Sequence, residues 1–194
     1  MTEVLAMPYL CDSTDFGLSD EKANRKHARL LMGKPRKLIY DLGDGVHVYQ
    51  TGSAQGGDLF MYDPADGLIG YYVHYKAMHK SLTGGTITQT AVWRSLTAPK
   101  ADGLTNRIVF DYFLHHYPAI MSDRMQTDMG QRFWINLMTR ALAKGHRVAL
   151  ADFSLRKIHE ISGPPELRLW YSDPDDGAWG QLNKHQALRF IIYA

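Results

Sequence analysis

The part of this sequence best suited to hold an anion is the loop Ser95–Asp102 (SLTAPKAD), between a β-rich stretch ending at Arg94 and a helical run opened by Gly103. Loop end and helix start together read Lys100-Ala101-Asp102-Gly103-Leu104-Thr105-Asn106. Glycine lets the backbone come close to a ligand, the free N–H groups of a helix start point at it, and lysine adds a positive charge. A phosphate-bearing cofactor suits that chemistry. Pro99 and Gly103 serve equally well to shape a plain strand-to-helix turn. Elsewhere the reactive side chains do not group. His115 and His116 are adjacent and diverge by about 100° on a helix, while His74 and His79 alternate to opposite faces of a strand. With one cysteine and no His-x-x-x-His or Cys-x-x-Cys spacing, no metal site is expected. Cys11 sits in an irregular arm without a cue for thiolate chemistry, and there is no Gly-x-Ser-x-Gly elbow and no Walker loop.

The elements around that loop form a βαβ pattern. A strand Thr86–Arg94 leads into the loop, and a helix from Gly103 to about His116 carries Leu104, Ile108, Val109, Tyr112 and Phe113 on one stripe. Asp102 or Thr105 is its expected cap. A short strand Pro118–Asp123 follows, then a helix from about Met129 to Lys144, capped by Thr127 or Asp128 and stopped by Gly145, then a strand His146–Phe153. Core packing accounts for both helical stripes, Trp134 included. Upstream the period is two. Lys37–Leu42 and Val46–Thr51 flank Gly43-Asp44-Gly45, and Asp58–Tyr62 and Leu68–Met78 flank Asp63–Gly67, giving with Thr86–Arg94 an antiparallel meander of about five strands. In the long strand Leu68–Lys80, Tyr71, Val73 and Tyr75 fall on one face, Tyr72 and His74 on the other. Before the meander lie an irregular arm and a helix Asp20–Met32, with Ser19 as N-cap and Gly33 as stop. Its segment is locally basic through Lys22, Arg25, Lys26, Arg29, Lys34, Arg36 and Lys37, with His27 among them, a pattern that a solvated face or an acidic partner would explain. After Phe153, Leu155–Ile161 reads as a helical turn or a strand, and Glu166–Ser172 and Ala187–Tyr193 read as strands joined by the polar stretch Asp173–Lys184.

Composition bounds the rest. The chain has 194 residues, 45% hydrophobic and 22% charged, with a formal charge of +2, as expected for one globular domain with a proper core. Such a weak positive balance does not argue for nucleic acid. A lone cysteine fits a reducing compartment, no apolar run reaches the roughly 20 residues that span a bilayer, and the start is too acidic and short for a secretory signal. The expected location is cytoplasmic, the host cytoplasm if the chain is viral.

This order of elements resembles the GCN5-related N-acetyltransferase fold over roughly Lys37–Phe153. The expected fold class is therefore α+β or mixed α/β, an acetyltransferase-like sheet in one domain: residues 1–35 the arm and basic helix, 36–153 the core, 154–194 C-terminal strands. That family binds the acetyl-CoA pyrophosphate in a loop written Arg/Gln-x-x-Gly-x-Gly/Ala. Here Lys100, Gly103 and Thr105 align with it, lysine replacing Arg or Gln and threonine replacing Gly or Ala. More narrowly, GLTNRIVFDYFL followed by MSDRMQTDMGQRFWINL resembles acetyltransferase-like proteins of tailed bacteriophages, chiefly through Ser122-Asp123 to Gly130 and Trp134.

The resemblance implies acetyl-CoA, or another acyl-CoA, held by Trp93, Arg94, Lys100, Ala101, Asp102, Gly103, Leu104, Thr105 and Asn106. The pantetheine arm would enter where two parallel strands splay at their carboxyl ends, here Trp93-Arg94 and Ser122-Asp123. Attack of an amine on a thioester needs a base and a proton donor. Asp123 is the implied base, directly or through water, with Ser122 holding that water or donating a proton, and His79 next in line because it ends a neighbouring strand. The acceptor would be a protein or small-molecule amine. Two further readings stand beside this one. The departures in the cofactor loop fit a decayed member that binds a host or virion partner, and the basic segment fits transfer onto nucleic acid.

Overall fold

The computed structural model describes residues 17–53, 55–80, 85–122, 128–172, 179 and 187–194. Helix α1 spans Glu21–Met32 and is followed by strands β1 (Arg36–Asp41), β2 (His47–Ser53), β3 (Gly56–Asp63), β4 (Leu68–Lys80) and β5 (Gly85–Arg94). A one-turn 3-10 segment, Pro99–Ala101, precedes a continuous helical run, α2, over residues 104–116. Its middle, Arg107–Phe113, is π-helical. Then come β6 (Ala119–Met121), α3 (Asp128–Ala143), β7 (Val148–Asp152), β8 (Lys157–Ile161), α4 (Pro164–Ser172) and β9 (Leu188–Tyr193).

The nine strands of the described residues join one mixed sheet in the order β1-β2-β3-β4-β5-β6-β9-β7-β8. The first five form the expected antiparallel meander. β5 and β6 are parallel, so β5-α2-β6 is a βαβ unit. β9 inserts between β6 and β7 and runs antiparallel to both, so the crossover through α3 skips one strand position. Apolar residues of α2 and α3, among them Leu104, Ile108, Phe113, Trp134, Leu137 and Met138, share one buried cluster with Tyr71, Val73 and Tyr75 of β4 and with Ile120, Leu150 and Phe190. Both crossover helices therefore cover the same face. The opposite face of the meander packs Phe60, Ile69, Tyr72 and Trp93 against Leu18, Ala28 and Leu31 around α1. The alternation expected for β4 is thus realised, with Tyr71, Val73 and Tyr75 under α2 and Tyr72 on the α1 side.

The β3–β4 hairpin carries a bulge. Asp63 faces Leu68 and Tyr62 faces Ile69, but Met61 faces Tyr71. Gly70 is the extra residue. A Cβ there would lie 2.4 Å from Met61 Cε and 2.7 Å from Ala98 Cβ, so only glycine fits between strand and loop. Beyond the bulge every pairing moves by one, and Asp58 faces His74 where the unshifted register would supply Val73.

Three local expectations are corrected. Asp20, not Ser19, caps α1: its side chain accepts a 2.7 Å hydrogen bond from Ala23 N–H. Neither Asp102 nor Thr105 caps α2, whose N-cap is Gly103 at φ 72° with no side-chain cap bond. Residues 166–172, expected as a strand, are helical in α4. Their alternation is real, but Pro164-Pro165 preset the first turn, and Glu166 reaches back to accept from Ser162 N–H at 2.7 Å and Ser162 Oγ–H at 2.6 Å. The C-terminal segment is accordingly strand, helix, strand. Of the two ambiguous readings for 155–161, β8 realises the strand. The proposed caps of α3 fall on Thr127, outside the described residues, and on Asp128, its first helical residue.

α1 is fixed by a residue the basic pattern hides. Asn24 is buried; its Nδ2 donates to Leu18 O and Ile69 O, each at 3.0 Å, and its Oδ1 accepts from Ile69 N–H at 2.8 Å. One amide thereby ties α1 to β4 and leaves no buried polar group of its own unmatched.

Candidate functional site

The parallel pair β5–β6 is short where β5 is long. Ile87 faces Ala119, Thr88 faces Ile120 and Gln89 faces Met121. Past Gln89, β5 runs on through Arg94 paired to β4 alone, with Arg94 opposite Tyr71. Among the described residues, no strand pairs the other edge of residues 90–94. Across from that open edge, β6 gives way to Ser122, which is closed onto β9: Ser122 N–H donates to Phe190 O at 2.9 Å and Phe190 N–H donates to Ser122 Oγ at 3.0 Å. Ser122 is fully buried. Its hydroxyl oxygen is thus already an acceptor within the sheet. Asp123 lies outside the described residues. His79 has its backbone in β4 opposite Thr86, and its side chain is not among those described.

The loop expected to hold phosphate begins where the open edge ends. Gly103 adopts a left-handed φ, and a Cβ on it would meet nothing within 4 Å. Its role is therefore conformational: at φ 72° it turns the chain so that the Leu104 and Thr105 amides precede the first helical bonds, Asn106 N–H and Arg107 N–H to Gly103 O at 3.1 and 3.3 Å. The side chains around these amides are engaged elsewhere. Arg94 pairs with Asp102 at 2.7 Å. Lys100 donates to Gly43 O at 2.6 Å and pairs with Asp44 at 2.7 Å in the β1–β2 turn, which holds the Asp44 carboxyl below its ordinary value. Thr105 Oγ1 accepts from the buried Tyr71 hydroxyl at 2.9 Å, a phenol that burial pushes well above its usual range. Ala101 and Leu104 are buried as packing residues. Trp93 packs toward α1 and also lines a cleft of about 300 Å³, with Ser95, Lys100, Glu21, Asp63 and Asp66 on its walls. The sequence-predicted cofactor residues are therefore contiguous in space around the β5–α2 turn, except that the Trp93 ring is on the α1 face.

On that same face stands a polar cluster the sequence does not announce. Asp58 is largely buried, with a side chain 13% exposed. Its Oδ1 accepts from Tyr72 OH at 2.6 Å and lies 2.9 Å from His74 Nδ1. Oδ2 accepts from Thr51 Oγ1 at 3.2 Å and has Lys34 Nζ at 3.7 Å. Burial pushes this carboxyl up, but the hydrogen bonds from His74 and Tyr72 and the charges of His74 and Lys34 outweigh it and bring it down to about 2. His27 stands edge-on to Tyr72 at 5.6 Å, its Nε2 buried without a hydrogen-bond partner among the described residues. Burial, more than any charge, holds its pKa below the usual histidine value. Only the bulge at Gly70 brings Asp58 and His74 together, so counting back from the hairpin turn misses the pair.

Among the described residues there is no group of three His, Cys, Asp or Glu side chains that could hold a metal ion, and no helix long and apolar enough to cross a membrane. No family model, curated protein or solved structure matches this chain.

Proposed function

We propose that this chain is an acyl-CoA-dependent N-acyltransferase, an acetyltransferase of GCN5-related type acting on an amine of a protein or small molecule. The observation that carries the reading is the strand arrangement: an antiparallel meander leads into a parallel pair that stays together for three residue pairs, after which, among the described residues, one edge of β5 is open beside the Gly103 turn. An open edge exposes backbone N–H and C=O groups to an extended ligand. The helix-start amides of Leu104 and Thr105, which precede the first helical hydrogen bonds, offer donors to its phosphates. When bound, an acyl-CoA supplies an acyl carbonyl activated as a thioester. The residues present fit such a ligand through their backbone. Arg94 and Lys100 fit once they exchange Asp102 and Asp44 for phosphate oxygens, and both pairs are exposed enough for that exchange to be inexpensive.

Those same ion pairs favour the second reading, a decayed cofactor loop on a protein that binds a host or virion partner: both cations of the loop are already neutralised by acids of the chain. Calorimetry and thermal melting with acetyl-CoA decide between them. The transferase reading predicts heat of binding and a raised Tm, with about 2.7 kcal/mol of stabilisation at ~100 times the dissociation constant. Gly103→Val forces a β-branched residue to positive φ, at a cost of about 1–2 kcal/mol, and should abolish the ligand-induced shift while the unliganded chain still folds. No heat and no shift at millimolar acetyl-CoA would overturn the transferase in favour of the binding protein.

A further inference from the structure

The carboxylate of Asp58 is held far more firmly than a surface ion pair requires. Four side chains from β2, β4 and the turn after α1 converge on it: Thr51, Tyr72, His74 and Lys34. Exposed ion pairs on flexible side chains contribute little and need no such frame. Two members of the group reach solvent, Lys34 and His74, whose side chains are 55% and 54% exposed, and of the two the imidazole is the one suited to take a proton near neutral pH. With Nδ1 directed at a fixed carboxylate, its proton stays on Nδ1, and Nε2 is left as an outward-facing lone pair. Among the described residues nothing is bonded to Nε2. An aspartate that fixes the tautomer of a histidine, leaving the second nitrogen for a substrate proton, is the arrangement general-base catalysis uses.

Its position ties the pair to the open edge of β5. The side chains of Thr51, Asp58 and His74 form a cross-strand row on the α1 face, and the backbone register continues from His74 to Ala91 of β5. Ala91 stands two residues past Gln89, where the pairing of β5 with β6 stops. His74 is therefore one strand spacing, about 4.8 Å, from the strand whose far edge is open. We propose that His74 is the general base for the acceptor amine, with Asp58 as its positioning residue. The inference rests on the acyltransferase reading and goes beyond it, since it assigns the acid–base work away from Asp123, Ser122 and His79 and puts the acceptor on the α1 face.

The step balances without an oxidant or a metal. The amine nitrogen bonds to the acyl carbon as the carbon–sulfur bond breaks. The proton shed by nitrogen passes to His74 Nε2 and then to the departing thiolate or to solvent. Asp58 stays ionised throughout and stabilises the imidazolium. The other charged or titratable groups facing this pair are Lys34 from the α1–β1 turn, Tyr72 and Lys76 on β4, and His27 from α1.

The test uses the full chain with acetyl-CoA and two probe amines, a lysine-containing tripeptide and n-butylamine, following thiol release. His74→Gln should bind acetyl-CoA as the wild type does and lose about 10²–10⁴-fold in kcat. His74→Ala should behave alike and recover part of its rate when imidazole is added, a response that a merely structural histidine would not give. Asp58→Asn should lose less than His74→Gln, because the base survives with its tautomer unfixed. Both His74 variants give up a hydrogen bond to Asp58, so their melting temperatures should fall modestly, and curves that show them folded at the assay temperature exclude unfolding as the cause. Wild-type rates in His74→Gln, or no imidazole rescue in His74→Ala, would overturn the assignment while leaving the transferase intact. Acetyl-CoA binding by wild type without transfer to either amine would overturn the assignment and spare the cofactor reading, whereas no binding at all overturns both.

Discussion

The two faces of β4 are built on opposite plans. Under the crossover helices, Tyr71, Val73, Tyr75 and Ala77 meet Phe113, Trp134, Leu137 and Met138 in the largest buried cluster of the described residues. Its polar tips are satisfied among themselves: Tyr71 donates to Thr105, and Tyr112 donates at 2.6 Å to Gln50, which in turn bonds Tyr75. On the α1 face Ile69 and Tyr72 of the same strand join a smaller apolar cluster, and polar, directed contacts are added to it: Asn24 on Ile69, and Tyr72 and His74 on Asp58. A face closed by close-packed apolar side chains tolerates little change in volume. A face organised by hydrogen bonds around a carboxylate responds instead to protons. The difference separates a face fixed by packing from one whose directed polar contacts the proposed acid–base role would draw on.

The sharpest way to break the comparison is on the packed side. Trp134, 1% exposed on α3, is among the largest fully buried side chains. Trp134→Ala leaves a cavity that neighbouring helix and strand residues fill only in part, and should cost about 3–5 kcal/mol, read as a lower urea midpoint. Acetyl-CoA affinity, normalised to folded protein, should stay within twofold. A selective loss of binding without loss of stability would show that α3 reaches the ligand and that the packed face is not inert.

The polar side is probed by pH. The Asp58 carboxyl sits at about 2 in the folded chain against an ordinary 3.8. For a carboxyl depressed by folding, the extra stability is fully present above the unfolded value and is lost as pH falls through the folded one. The window therefore runs from about pH 4 down to about pH 2, and the amount is on the order of 2 kcal/mol. Asp58→Asn should be less stable than wild type at neutral pH by about that much, and the two denaturation midpoints should converge as pH falls through the window. Parallel curves down to pH 2 would mean that the carboxylate is not held as its geometry implies.

How far these two faces can be read from the sequence differs for physical reasons. Period-two alternation is local, so the meander and the two faces of β4 are legible in residues 68–80. The stripes of α2 and α3 are equally local. What is not legible depends on pairing between distant residues. That β9 slots between β6 and β7 follows from no spacing in the chain, because antiparallel ladders at that separation carry no local signature. The meeting of Asp58 with His74 depends on one extra residue in a hairpin, and the only trace of it is Gly70, an unremarkable letter until Met61 and Ala98 are seen against it. In residues 166–172 the alternation pointed to a strand, and the Pro-Pro pair with Glu166 three residues beyond Gly163 outweighed it. At the candidate site, the turn around Gly103 was legible because positive φ and a helix start leave a mark in residue type. The ion pairs that occupy Arg94 and Lys100 were not, since Asp44 lies 56 residues from Lys100.

The smallest effect is expected at the outer surface of α1, and it sharpens the comparison by marking where the polar face stops being organised. Lys22, Lys26 and Arg29 are exposed, whereas Arg25 pairs with Glu21 at 2.7 Å and also donates to Asp66 O. The basic residues within α1 thus fall into two groups, Arg25 tied to the β3–β4 turn and the other three in solvent. Charges in solvent, free of a partner and of buried area, contribute little to folding. Replacing Lys22, Lys26 and Arg29 together by glutamine should shift stability by no more than about 0.5 kcal/mol. Binding to a nucleic acid would demand more of those residues: affinity falling steeply with added salt, and a shallower salt dependence once three cations are removed. Filter binding of a random-sequence duplex and a single strand at low and at physiological salt measures both. No salt-sensitive binding is expected from either the wild-type or the triple variant. Tight binding lost on raising the salt, and weakened in the variant, would turn this surface into an interface and bring nucleic acid back as the acceptor.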